Sequence, residues 1–206
     1  MANSSAPRSS GPNTDSPFTD WYPPGVPAVD QLIAWEHALE NHAERVAEAC
    51  APLTEDQFNQ QPQPGIWSCA EVIEHLNLSA RPYCSKMEPL VLRAIKAPDQ
   101  PIPHTYLGKQ IAKMAGPSKD VPVPRGMTPQ AKRYEKDRLL SEWTARQHQV
   151  AAWCQALHGS DLSGKFANPF IPILKLTLAD GLLILCEHTE RHVRQIEDRA
   201  KDVSSL

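Results

Sequence analysis

Apolar residues recur every seven positions in several stretches of this chain, and that spacing predicts helices separated by proline-rich breaks. Leu32, Leu39 and Val46 repeat at seven, joined by Ile33, Trp35, Ala43 and Cys50, so a helix over about 28–51 carries one apolar stripe. Three prolines and a glycine in 52–65 stop it, although Thr54 with Gln57 can cap a single turn there. Ser68 and Glu71 form an S-x-x-E capping box, preceded by Trp67 as an apolar staple. A second helix follows to about residue 96 through Val72, Ile73, Leu76, Leu78, Leu90, Val91 and Ile95, bent at Pro82 and Pro89.

Six prolines and three glycines punctuate 97–127, which reads as a long connection with one short helix over 106–115, weakened by Gly108. A connection of that length is a functional loop or a crossover. Thr128 and Pro129 have the form of an N-cap and first turn for a third helix. That helix carries Leu139, Leu140, Trp143, Val150, Trp153 and Leu157, with Gly159 as its stop. A connector over 160–176 leads to a fourth helix, capped by Thr177 with Asp180 and running to about Lys201. With no convincing alternating strand, the pattern predicts an all-α four-helix bundle with long proline-rich connections.

Composition places that bundle in residues 26–206. The first 25 residues are dominated by Ser, Pro, Asn, Gly and Asp and cannot bury enough surface to offset their ordering entropy, so a disordered tail is expected. They lack the apolar core of a signal peptide, and no run of eighteen apolar residues follows. A cytoplasmic protein with no membrane partner is the expectation. A net charge of −3 without a Lys/Arg run argues against nucleic acid as a partner. The five cysteines are scattered without a CxxC pair, which suits small buried hydrophobes better than a disulfide framework.

The fourth helix reads E-H-T-E-R-H-V-R-Q-I. His188 and His192 are four apart and share one helix face, in line with the core-facing stripe. Such a pair can chelate a metal, but the spacing alone serves two ordinary histidines equally well. His75, among the apolar residues of the second helix, adds a third core-facing imidazole. A divalent ion would satisfy all three at once.

Glu71 lies one turn before His75. It fits both a fourth ligand and its capping role, the latter favoured. Gln195 can support a ligand histidine or a bound water. Arg191 and Arg194 are candidates to bind an anionic substrate or cofactor, and they also suit the last turns of a helix. Cys186, Cys69 and Cys84 fall off the histidine faces, and the other histidines read as solvated or loop residues, with His42 near the apolar face of the first helix.

G-I-W-S-C-A-E-V-I-E-H-L, followed far downstream by E-H-T-E-R-H-V-R-Q-I, resembles the DinB-like (damage-inducible) superfamily, including its YfiT-type members. The matching positions are Trp67, Ser68, His75, His188, His192, Gln195 and Ile196, and the resemblance spans roughly 28–201. It implies a four-helix bundle, often a homodimer, with a zinc or nickel ion on the three histidines. It also implies a small-molecule substrate, and in some members a low-molecular-weight thiol.

The leading reading of function is a thiol S-transferase using a metal-bound thiolate, with a hydrolase using metal-bound water and a stress-related binding protein without turnover as the alternatives. A charged thiol would require basic residues at the bundle mouth, for which Arg81, Arg191 and Arg194 are the candidates.

Overall fold

In a computed structural model, the residues described are 26–98, 100–116, 123–124 and 126–204. The tail expected over 1–25 lies outside them. The helices are α1 (Ala28–Cys50), α2 (Glu55–Asn59), α3 (Cys69–Leu92), α4 (Tyr106–Ala115), α5 (Lys136–Ala156) and α6 (Leu178–Ser204), with short strands β1 (Lys165–Ala167) and β2 (Lys175–Thr177) before α6.

The boundaries follow local chemistry. Both N-terminal capping boxes form: Thr54 with Gln57 opens α2, and Ser68 with Glu71 opens α3. Helix α3 continues through Pro82 and Pro89 and ends a few residues before the predicted 96. The predicted start of the third long helix at Thr128 is wrong, since α5 begins at Lys136. The reason is tertiary. Asn59 of α2 holds the backbone N–H and C=O of Tyr134, whose ring is buried in the core, so this stretch is tied down in a non-helical path. The chain also forms a strand pair that the sequence reading missed. Strands β1 and β2 pair antiparallel with Phe166 opposite Leu176, too short to show an alternating pattern.

Helices α1, α3, α5 and α6 form the bundle. Helix α1 packs on α5 and α6, and α3 packs on the same two. Residue pairs fix the directions. His42 meets Glu190 and Arg45 meets Glu197, so α1 and α6 run the same way. Cys69 reaches the Ile196 carbonyl while His75 reaches His188, so α3 opposes α6. The end of α3 and the end of α5 lie together, with Ala97 N–H donating to the Gly159 carbonyl, so α3 and α5 are parallel. Parallel neighbours require a crossover, and the 97–127 connection supplies it. On the way its helix α4 lies against α6.

That docking is held by Asp180, which is fully buried. Its carboxylate caps α6 through the Thr177 N–H at 3.0 Å. It also accepts from the Thr105 N–H and hydroxyl at 3.0 and 2.7 Å, and from His104 at 3.1 Å. Thr105 in turn caps α4 by accepting from the Gly108 N–H. Gly108 is required there because a methyl group would overlap the Asp180 carboxylate.

The apolar core divides into two clusters. One gathers Leu32, Trp35, Val150, Leu157 and Leu182, and the other Val46, Ile73, Trp143, Val193 and Ile196. Between them in sequence on each long helix stand buried polar residues: His42, Asn77, Gln147 and Glu190. Glu190 accepts from His42 at 2.9 Å, Arg45 at 2.8 Å and Arg194 at 2.6 Å. Burial opposes ionisation of this carboxyl, but those hydrogen bonds and neighbouring positive charges outweigh it and bring it down to about 2.

The Glu190 carboxyl falls from an ordinary 4.5 to about 2 in the fold, so its stabilising contribution is complete above pH 4.5 and is lost as pH falls toward 2. Glu190→Gln is therefore expected to cost about 3 kcal/mol at neutral pH, because it strands buried partners. It should also flatten the acid limb of stability against pH. Urea midpoints from neutral pH down into the acid limb check both.

Candidate metal centre

Helices α3 and α6 oppose each other, which brings His75 level with His188 and His192. The three side chains are the one His/Cys/Asp/Glu group among the described residues with metal-holding geometry, their ligand atoms all within 4.8 Å of one another. His188 Nε2 lies 3.1 Å from His75 Nε2 and 3.1 Å from His192 Nε2.

Which nitrogens carry protons follows from the outer partners. His75 Nδ1 lies 2.7 Å from the Met127 carbonyl oxygen, which can only accept, so Nδ1–H donates. His192 Nδ1 lies 2.7 Å from the Gln195 Oε1, again an acceptor. His188 Nδ1 lies 3.4 Å from the Ser79 hydroxyl oxygen, and that hydroxyl spends its own proton on the Leu76 carbonyl at 2.9 Å. Each neutral ring therefore keeps its proton on Nδ1 and turns the lone pair of Nε2 inward.

Burial lowers all three pKa values, His75 to about 4 and the other two well below their ordinary range, with the Arg191 charge acting in the same direction. His188 and His192 are lowered further by neighbouring histidines. Three converging lone pairs, with that of His188 3.1 Å from each of the other two nitrogens, repel unless a cation lies between them. Tetrahedral ligation at about 2.0–2.1 Å sets ligand nitrogens roughly 3.3 Å apart, close to what is seen here. The donor set fits a divalent ion.

The cluster opens on a cavity of about 340 Å³. Its walls are largely apolar, and Trp67, whose ring centre is 5.1 Å from that of His75, forms part of one end. Helix α4 contributes Ile111 and Met114, so the crossover covers the site.

The other residues singled out in the sequence fall as follows. Glu71 accepts from Ser68 N–H at 2.9 Å and from the Gln61 amide, which is its capping role, and it is outside the histidine group. Gln195 supports His192. Arg191 lines the cavity. Arg194 instead pairs with Glu190, on the side of α6 that faces α1. Arg81 pairs with Glu142 at the surface. All five cysteines are buried, and none lines the cavity. His104, expected among solvated or loop residues, is buried against Asp180.

Three features of the site were missed. Ser79 had a signal, four residues after His75 and so on its face. Arg199 had one too, four residues after Gln195. The Met127 carbonyl had none.

In metal-free protein the three rings should hold the neutral Nδ1–H form well into the acid range, since their pKa values are lowered. Nitrogen-15 NMR of the imidazoles at about pH 6 checks this, because an ordinary histidine is largely protonated there. An imidazolium signal from any of the three at that pH contradicts the assignment.

No curated protein matches the chain. Among solved structures it is similar to YfiT from Bacillus subtilis, described as "a probable metal-dependent hydrolase with an unusual four-helix bundle topology". The TM-score is 0.54 at 17% identity, with 97% of each chain covered, a likeness in fold. The profile of the DinB superfamily matches residues 38–196, from within α1 to beyond His192. The chain belongs to the DinB superfamily.

Proposed function

We propose that this chain is a metal-dependent enzyme, with one zinc- or nickel-type ion held by His75, His188 and His192, and that it hydrolyses a small, largely apolar substrate. The observation that carries the reading is the convergence of three inward-facing Nε2 lone pairs on the wall of an internal cavity. An ion held by these three neutral imidazoles would supply a Lewis acid that acidifies a water or thiol.

The protein's own residues do the rest. Met127, Ser79 and Gln195 hold each ring in one tautomer and one orientation. The apolar walls limit bulk water. No cysteine lines the cavity among the described residues, and the Ser79 hydroxyl is engaged with Leu76, which favours an attacking group from outside the chain. The fold shared with YfiT supports the same direction.

Water is favoured over a charged thiol because two of the three cations expected at the rim are occupied elsewhere, Arg81 by Glu142 and Arg194 by Glu190. Thiol transfer is the second reading. Its support is that Arg191 and Arg199 line the cavity.

Protein purified without a histidine tag should carry about one ion per chain, and His188→Ala should lose it while retaining its helical circular dichroism. Equal metal content in both proteins sinks the metal reading. Gln195→Leu, which removes the acceptor for His192 Nδ1–H, should weaken metal affinity about 10–100-fold in a competition assay with a chelating dye. Metal-loaded protein should cleave apolar esters or amides without added thiol. Turnover that depends on a thiol instead would select the transferase reading.

A further inference from the structure

We propose that Tyr83 and Asn168 form a second polar station in the cavity, which donates a hydrogen bond to a neutral carbonyl oxygen of the substrate about two helical turns from the histidines. The proposal rests on the metal-dependent reading above. It adds a feature of the substrate, an acceptor oxygen set apart from the bond that reacts.

Helix α3 sets the position. His75, Ser79 and Tyr83 are spaced at four and share one face, and all three line the cavity. Eight residues at about 1.5 Å each put Tyr83 roughly 12 Å along the axis from His75. The antiparallel α6 gives the same level. His75 meets His188, while a methyl group on Gly181 would meet the Met87 sulfur at 2.6 Å. Tyr83 lies between these two contacts, level with Ile184 and Leu185 of the cavity wall.

The partners of Asn168, just after β1, decide which group donates. Its Oδ1 accepts from the Phe170 and Ile171 N–H groups at 2.9 and 3.0 Å, so the amide has one orientation. Its Nδ2 then donates to the Tyr83 hydroxyl oxygen at 3.0 Å. That bond uses a lone pair of the phenol and leaves the O–H without an acceptor among the described residues. The second Nδ2 hydrogen of Asn168 has none among them either. Burial pushes the Tyr83 phenol up to about 12 against the opposing effect of the Asn168 hydrogen bond, so it keeps its proton at ordinary pH.

Tyr83 is 4% exposed and Asn168 3%, and a buried donor left unmatched is costly. Both residues line the cavity, so a ligand there can supply the missing acceptor. The surroundings argue for a neutral one. The Tyr83 ring packs between Phe166 and Phe170, each with its ring centre 6.1 Å away. The charged residues that line the cavity, Arg191 and Arg199, come after His188 on α6, whereas Tyr83 is level with residues before it. An anion at Tyr83 would be desolvated without a counter-charge, while a carbonyl requires only a donor.

The test compares benzylacetone with the alkene in which a methylidene group replaces its carbonyl oxygen. Both are titrated calorimetrically into the protein as purified and after treatment with a chelator. Tyr83→Phe keeps the ring and removes only the hydroxyl. It should bind the ketone about three- to tenfold more weakly than the wild type and the alkene within about twofold. Asn168→Asp keeps an acceptor for the two backbone N–H groups and sets a second acceptor oxygen against Tyr83, which takes its O–H. It should show the same selective loss. In the wild type, the infrared C=O stretch of the bound ketone should lie below its value in hexane, and in Tyr83→Phe it should return toward that value.

The loss in Tyr83→Phe should be equal with and without the chelator. An empty histidine cluster would therefore leave this proposal standing, and failure of the proposal would leave the metal content unchanged. It is overturned by equal ketone affinity in wild type and Tyr83→Phe, by a matching loss for the alkene, or by an unshifted C=O stretch. Wild-type ketone affinity in Asn168→Asp, a Tyr83 dependence seen only with metal present, or no ketone binding at millimolar concentration overturns it as well. The infrared comparison with hexane needs no variant to fold.

Discussion

Three imidazole lone pairs pointing at one another inside an apolar bundle are the constraint around which the rest of this structure is arranged. Isolated neutral histidines would avoid the geometry, since lone pairs at 3.1 Å repel and burial prevents protonation from relieving them. The fold nonetheless enforces it. A backbone carbonyl, a serine hydroxyl and a glutamine amide each take one Nδ1 proton, so none of the rings can turn its N–H inward without losing a partner. Each of those acceptors comes from a different part of the chain: the crossover, α3 and α6. The protein therefore stabilises an arrangement that favours a cation, at a cost the surrounding packing must offset.

Helix α6 bears most of this. It is buried along nearly its whole length and works on both sides. His188 and His192 face α3, while Glu190, between them in sequence, faces α1 and gathers His42, Arg45 and Arg194. The ion-pair network fixes the rotation of α6 about its own axis, and that rotation determines whether the two histidines point into the cavity. Burying polar groups on both faces would be unfavourable for an isolated helix. Here Glu190, His188 and His192 each have partners, so the α6 part of the layer specifies register between the two apolar clusters.

The bundle and its histidines were legible in the sequence because each rests on local periodicity. The seven-residue repeat of Leu32, Leu39 and Val46 and the capping box at Ser68 were enough to place two helices. The i, i+4 spacing of His188 and His192 placed both on one face, and the structure agrees. The start of α5 was misplaced for a different reason. Thr128 with Pro129 is a sound local signal, overridden by Asn59 holding Tyr134 and by the Met127 carbonyl serving His75. Neither contact has a local signature. The β-hairpin was invisible because three residues are too few to show alternation. Arg194 and Arg199 are equivalent as sequence, each a cation late in a helix, and only the partner helices show that one serves Glu190 and the other the cavity.

The crossover connects these points. An up-and-down bundle would join α3 to α5 with a short loop and leave the outer side of α6 open to water. Making α3 and α5 parallel requires the chain to travel the length of the bundle. Helix α4 uses that passage to cover α6, clamped at its start by Asp180, and the segment after it delivers the Met127 carbonyl to His75. The same detour supplies Ile111 and Met114 to the cavity wall. The topology that looks costly for folding is thus what closes the site and sets the tautomer of one of its three nitrogen donors. A shorter connection would keep the four helices and the three histidines, but it would lose both the enclosure and the proton acceptor for His75.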